Sequence, residues 1–214
     1  PVTFLIDRAG VTGPDGPSHH GVFDLSYLRM IPNMVIGAPA DATELCAMIE
    51  TAVDHQGPIA IRYPKGGAVS VPSLPVAPLE VGRAQLHAEG DDVLLLAVGR
   101  MVEVAQKAAV DLGEKGVSAG LVDARWVKPL DPRILEWAAP TPVVVTLEDN
   151  VIAGGFGAAV MESFAAAGLT KEVLNVGVPD RFLPFGSAGD VMESVGMDSD
   201  SVVERVLLAL GWGA

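Results

Sequence analysis

Between residues 93 and 176, four short apolar runs (93–98, 119–123, 143–147 and 173–176) alternate with segments of helical period, and this alternation restricts the possible folds more than any other feature. The helical segments are 101–112, 132–138 and 155–167. Runs this largely apolar, interrupted only by Asp123, Thr146 and Asn175, suit strands buried on both faces, and intervening helices supply the crossovers that parallel strands need. The series therefore predicts an open α/β domain with helices on both faces of a parallel sheet. Two short helices follow, the last over 200–210.

Upstream the alternation is shorter. It predicts a strand of buried type over 2–6, a polar loop over 7–21, a helix over 24–29 and a strand over 34–37. A helix over 41–54, announced by Pro39 and Asp41, and a strand over 59–62 follow. These strands are too few for a sheet of their own. The chain also opens at Pro1, without Met, directly into the first strand, which is the pattern expected of a start in mid-domain. Pro72, Pro75 and Pro78, spaced without helical period, mark an extended connection. The expected organisation is a partial α/β sheet domain over 1–71, a linker over 72–91 and a complete α/β domain over 92–214. No internal repeat or low-complexity tract is visible.

Fourteen Lys and Arg against 27 Asp and Glu give a net charge of −13, with no basic run, so neither nucleic acid nor an anionic membrane surface is an expected partner. An anionic small molecule would need the few arginines concentrated where it binds. Cys46 is the single cysteine, which rules out an intrachain disulfide and a Cys-based zinc site and fits a reducing, cytoplasmic compartment. Its helical setting predicts an inert buried thiol. No apolar stretch approaches the ~20 residues of a membrane span, and the first residues lack the pattern of a signal peptide.

The loop over 7–21 follows a strand directly, where parallel sheets bind ligands, and its length asks for a reason. Arg8 offers a planar fork for phosphate or carboxylate, Asp15 an acceptor for a hydroxyl, and His19 a proton near neutral pH. The alternative is a solvated surface loop shaped by its Gly and Pro. A metal site from Asp15, His19 and His20 is not expected, because adjacent histidines point apart in extended backbone and no further ligand lies nearby. Arg62 ends a strand expected beside the first, so its guanidinium should emerge at the same edge, unless it only pairs with a surface carboxylate. The Gly-rich turn over 147–157 could seat a dinucleotide pyrophosphate. However, G-x-G-x-x-G counted from Gly155 meets Val160 at its last position, and the preceding strand is not the first of its sheet. Glycines for a tight turn and close helix packing, with Val160, Met161 and Phe164 as core, are the preferred reading.

Asp15-Gly16-Pro17-Ser18-His19 with the later Ile31-Pro32 resembles the transketolase superfamily. The flanking DRAG (7–10) and GVFDLSYLR (21–29) resemble more narrowly the 1-deoxy-D-xylulose-5-phosphate synthases. The likeness continues through RYPKG (62–66), VDARWVKPLD (122–131), EDN (148–150) with its GG-x-G, and GVPDRFLPFG (177–186). It implies the second half of a thiamine-diphosphate pyrimidine-type domain followed by a transketolase C-terminal-like domain. The activity it implies joins pyruvate, with loss of carbon dioxide, to D-glyceraldehyde 3-phosphate on thiamine diphosphate, for isoprenoid precursors, thiamine and pyridoxal. By position, Arg8 and Arg62 would grip the acceptor's phosphate, and Asp15 would bind its hydroxyl. His19 would hydrogen-bond near the reacting carbonyl and help move protons, while His20 receives no role.

The resemblance also places the Mg2+–diphosphate site and the cofactor-activating glutamate upstream of this chain. No cofactor-binding residue is therefore identified here, and the chain alone is expected to be inactive. Its expected partners are the missing N-terminal portion and a second copy, as a homodimer. Two other readings stay open: a noncatalytic assembly module, and a transketolase-like enzyme with another sugar-phosphate acceptor. The DRAG and FDLSYLR flanks argue against the latter.

Overall fold

A computed structural model describes residues 1–66 and 75–212. In the first sheet β1 (Val2–Ile6), β3 (Pro58–Arg62) and β2 (Val35–Gly37) run parallel in that spatial order. α1 (Asp24–Arg29) and α2 (Ala42–Asp54) lie in the connections. α2 begins where expected, because Asp41 in extended backbone accepts a 2.9 Å hydrogen bond from the Glu44 amide.

The second sheet has β6 (Ala119–Asp123), β5 (Val93–Ala97), β8 (Val143–Val151) and β9 (Glu172–Val178) parallel, in that order. Its connections carry α3 (Met101–Glu114), α4 (Arg133–Ala138) and α5 (Phe156–Ala166), and α6 (Ala188–Glu193) and α7 (Ser199–Ala209) follow β9. All five residues of β5 are buried, as a continuous apolar run between helical layers requires. The α/β class expected from the sequence is the class observed.

Several details differ from expectation. Each sheet carries an antiparallel edge. β4 (Gln85–Ala88), inside the expected linker, pairs with β6, and β7 (Trp126–Lys128), not foreseen as a strand, pairs with β2. Residues 67–74, which include the start of the expected linker at Pro72, lie outside the described residues. β7 arises because the chain leaves β6, turns at Arg125 with φ +57°, and crosses to the other sheet. Trp126 is then fully buried with Val35, Met48, Ile59 and Ile61. Gly37 makes room for it, since a Cβ there would lie 3.0 Å from the indole.

β1 is not buried. Among the described residues it pairs only with β3, and Phe4 and Leu5 are 44% and 50% exposed. Cys46 is half-buried rather than fully buried. Of the expected core stripe on α5, Val160 and Phe164 are buried whereas Met161 faces outward.

The two sheets share a core. Leu25, Met34, Ile36 and Ala60 from the first segment pack in one cluster with Leu94, Leu96, Val122, Val144 and Phe156 from the second. Each Leu, Ile, Val, Met or Phe side chain so withdrawn from water contributes about 1.5–3 kcal/mol, which holds the first segment's loops against the second sheet.

Candidate functional site

The loop after β1 is closed at its base and held from behind. Gly10 and Gly21 exchange backbone hydrogen bonds of 2.7 and 2.9 Å, pinching the segment between them into a closed excursion. Gly10 has φ +77°, and a Cβ there would fall 1.7 Å from Asp149 Oδ2, so only glycine fits. The next amide, Val11 N–H, donates to both oxygens of Asp149 at 3.0 and 3.2 Å. Asp149 is buried and also pairs with Arg100, whose Nη2 reaches the Val11 carbonyl at 3.1 Å.

At the loop's outer face Asp15 accepts two hydrogen bonds from Lys65 Nζ, at 2.7 and 2.8 Å. The Lys65 ammonium, first by this bond, and then the charges of Arg8 and His19, hold the Asp15 carboxyl below its usual range. Asp15 and Lys65 thus form an ion pair, on which the charges of Arg8 and His19 act from further away. Arg8 and His19 are exposed, and Ser18 Oγ lies 3.0 Å from His19 Nδ1. Arg8 has φ +56°, a left-handed backbone that costs a non-glycine residue about 1–2 kcal/mol and so needs neighbours to hold it.

Arg62 behaves differently from the expectation that its guanidinium would emerge beside this loop. Its side chain is 4% exposed, drawn inward by the buried Asp24 of the FDLSYLR stretch. Nε and Nη2 meet the two Asp24 oxygens at 2.8 and 3.0 Å, and Nη2 also donates to the carbonyls of Gly21 and Asp149. Nη1 carries no hydrogen bond among the described residues. Arg62 thus ties together the loop's base, α1 and β8.

The EDN stretch lies at the end of β8, and each side chain has its own task. Glu148 accepts from the amides of Phe156 and Gly157 at 2.7 and 2.9 Å, capping α5. Burial pushes its carboxyl up to about 7 against those two amides, which lower it. Its carboxylate occupies the helix N-terminus that a pyrophosphate would need. Gly155 makes this possible, because a Cβ there would lie 2.0 Å from Glu148 Oε2, which bears out the tight-turn reading of the glycines. Asn150 accepts from Leu25 N at 3.3 Å and donates to Ser26 Oγ at 3.0 Å, fastening α1.

Sequence reasoning missed His20, Lys65, Asp24 and a carboxyl pair, the half-buried Glu44 and the buried Asp123. His20 Nδ1 accepts from Thr12 N at 3.0 Å and Nε2 faces the Pro184 carbonyl at 3.3 Å. Glu44 and Asp123 meet at the junction of the sheets under Arg125, which donates from Nε to Glu44 at 2.7 Å and from Nη2 to Gln85. Burial, then the charge of Glu44, pushes Asp123 up to about 8. Lys65 stood inside the RYPKG stretch and could have been noted as a third cation. The carboxylate pair joins residues far apart in sequence, and nothing local marks it.

Two family models match the chain. Residues 1–68 match the family model described as the transketolase pyrimidine-binding domain, and residues 82–202 match the transketolase C-terminal domain. A 1-deoxy-D-xylulose-5-phosphate synthase of Carboxydothermus hydrogenoformans is 45% identical over 94% of the chain, and one of Aquifex aeolicus is 46% identical over 100%. The chain spans about a third of the length of these curated relatives (33% and 34%). Among solved structures, one described as a split-gene transketolase in an inactive β4 tetramer superposes with a TM-score of 0.85 at 33% identity, over 100% of this chain and 68% of that one. A transketolase mutant from Pichia stipitis, at TM-score 0.72 and 20% identity over 99% of this chain and 30% of that one, shares the fold. The chain therefore belongs to the transketolase family, and its curated relatives at about 45% identity are 1-deoxy-D-xylulose-5-phosphate synthases.

Proposed function

We propose that this chain supplies the acceptor-binding part of a thiamine-diphosphate-dependent 1-deoxy-D-xylulose-5-phosphate synthase, which joins pyruvate to D-glyceraldehyde 3-phosphate with release of carbon dioxide. The observation that carries the reading is the cluster of basic side chains at this loop, with Arg8 and His19 exposed and Lys65 paired with Asp15, in a chain whose net charge is −13. In a field that repels anions, such a cluster suits a small phosphate ester. Arg8 and Lys65 face solvent and would hold the phosphate, with Arg62 offering Nη1 from behind. Asp15 would take the acceptor's hydroxyl, and His19 would hydrogen-bond to the aldehyde oxygen and deliver a proton there as that carbon becomes an alcohol.

The donor set does not fit the cofactor's magnesium: among the described residues no group of three His, Cys, Asp or Glu could hold a metal ion. Thiamine diphosphate, when bound, supplies the carbanion chemistry, and in this reading the remainder of a longer protein holds it with Mg2+. The relatives' greater length and the inactive β4 tetramer of the split-gene relative support the view that this segment does not turn over by itself. A homodimer, a cytoplasmic setting and a place in isoprenoid-precursor supply complete the proposal.

The test is carbon dioxide release from pyruvate by the full-length protein with thiamine diphosphate. Release that accelerates with D-glyceraldehyde 3-phosphate is expected. Equal acceleration by ribose 5-phosphate would favour a transketolase-like acceptor, and absence of cofactor binding by calorimetry would favour an assembly module.

A further inference from the structure

We propose that His20 is a positioning residue of the acceptor site, through which the 184–188 segment of the second domain sets Asp15 and His19 in place; this rests on the function proposed above. His20 is buried, unlike its neighbour His19, and both ring nitrogens are engaged. The Thr12 amide has only a hydrogen to offer, so Nδ1 must accept it, and the ring's hydrogen lies on Nε2, facing the Pro184 carbonyl. A neutral imidazole of this one tautomer is the arrangement that satisfies both partners.

Those two bonds bracket the residues that matter. Thr12 opens and His20 closes the segment that carries Asp15 and His19, and Thr12 Oγ1 also donates to the His19 carbonyl at 3.2 Å. The same segment presses on residues 184–188 at two further points. A Cβ at Gly16 would lie 2.1 Å from the Phe185 ring, and one at Gly13 would lie 2.7 Å from the Ala188 amide. Both glycines have positive φ, +81° and +65°. The loop therefore rests its backbone against the second domain, with His20 as its one side-chain hydrogen bond to that segment.

Glutamine tests this, since its amide also offers one acceptor and one donor at similar reach. In the full-length enzyme, His20→Leu should raise KM for D-glyceraldehyde 3-phosphate by about 10-fold or more, the loss of a hydrogen-bonded arrangement of about 1.4 kcal/mol. KM for pyruvate should stay unchanged. His20→Gln should restore most of the acceptor KM. Hydrogen exchange at the Thr12 amide, read without turnover, should quicken in the Leu variant and recover in the Gln variant. If both variants keep a wild-type acceptor KM and slow Thr12 exchange, or if both KM values rise together without rescue, the proposal is overturned. A wild-type protein without synthase activity whose Thr12 exchange still responds would instead count against the function proposed above.

Discussion

At the scale of single residues, Arg8 and Arg62 have opposite characters although both were expected to grip one phosphate. Arg8 is exposed, with a left-handed backbone that arginine does not favour. Glycine tolerates that backbone and alanine does not, so Arg8→Gly should be more stable to urea than Arg8→Ala by about 1 kcal/mol. Both variants should lose acceptor affinity alike, because both lose the guanidinium. Arg62 is buried with two bonds to Asp24, and Arg62→Ala would strand that carboxylate in the interior. Such losses cost about 3–5 kcal/mol, so the variant should unfold early in urea whatever its catalytic defect. An Arg62→Ala protein of wild-type stability would show that the pair contributes little.

At the scale of elements, the junction of β6, β7 and α2 stores a proton. Asp123 is raised from 3.8 to about 8 by burial and by Glu44, so the folded state holds its proton through a range in which the unfolded chain has released it. The stabilising contribution is complete below pH ~4 and is lost as pH rises toward 8. Asp123→Asn places a permanent N–H where that proton sits. The variant should show a flatter fall in unfolding midpoint between pH 4 and 8 than the parent, about level with it at the acid end and above it at the alkaline end. Parallel pH profiles for the two proteins would contradict a proton held on Asp123. Glu148 works in the same direction at the start of α5, with its carboxyl raised to about 7 by burial.

At the scale of the whole molecule, the order of strands and helices was legible because apolar runs and helical period are local signals. The helix boundaries near Asp41 and the core strands 93–97 and 119–123 followed from them. The crossing strand β7 was not legible, since Trp126-Val127-Lys128 is too short to show a period and takes its place from the groove at Gly37. The loop over 7–21 was legible as a candidate site from its residue types, and the structure leaves Arg8 and His19 exposed on it while Asp15 pairs with Lys65. Its supports were not, because Asp149, Pro184 and Phe185 reach it from the other end of the chain. The shared core and the polar contacts of EDN make the second domain the backing on which the loop stands.

The claim that the Arg8 cluster reads a phosphate is tested most directly by comparing two acceptors in the full-length enzyme, D-glyceraldehyde 3-phosphate and unphosphorylated D-glyceraldehyde. Arg8→Ala should lower kcat/KM for the phosphorylated acceptor by at least about 10-fold, as loss of a charge-assisted hydrogen bond of roughly 1.5–3 kcal/mol implies, and leave the unphosphorylated one nearly unchanged. If both acceptors lose equally, or neither does, the cluster does not bind the phosphate.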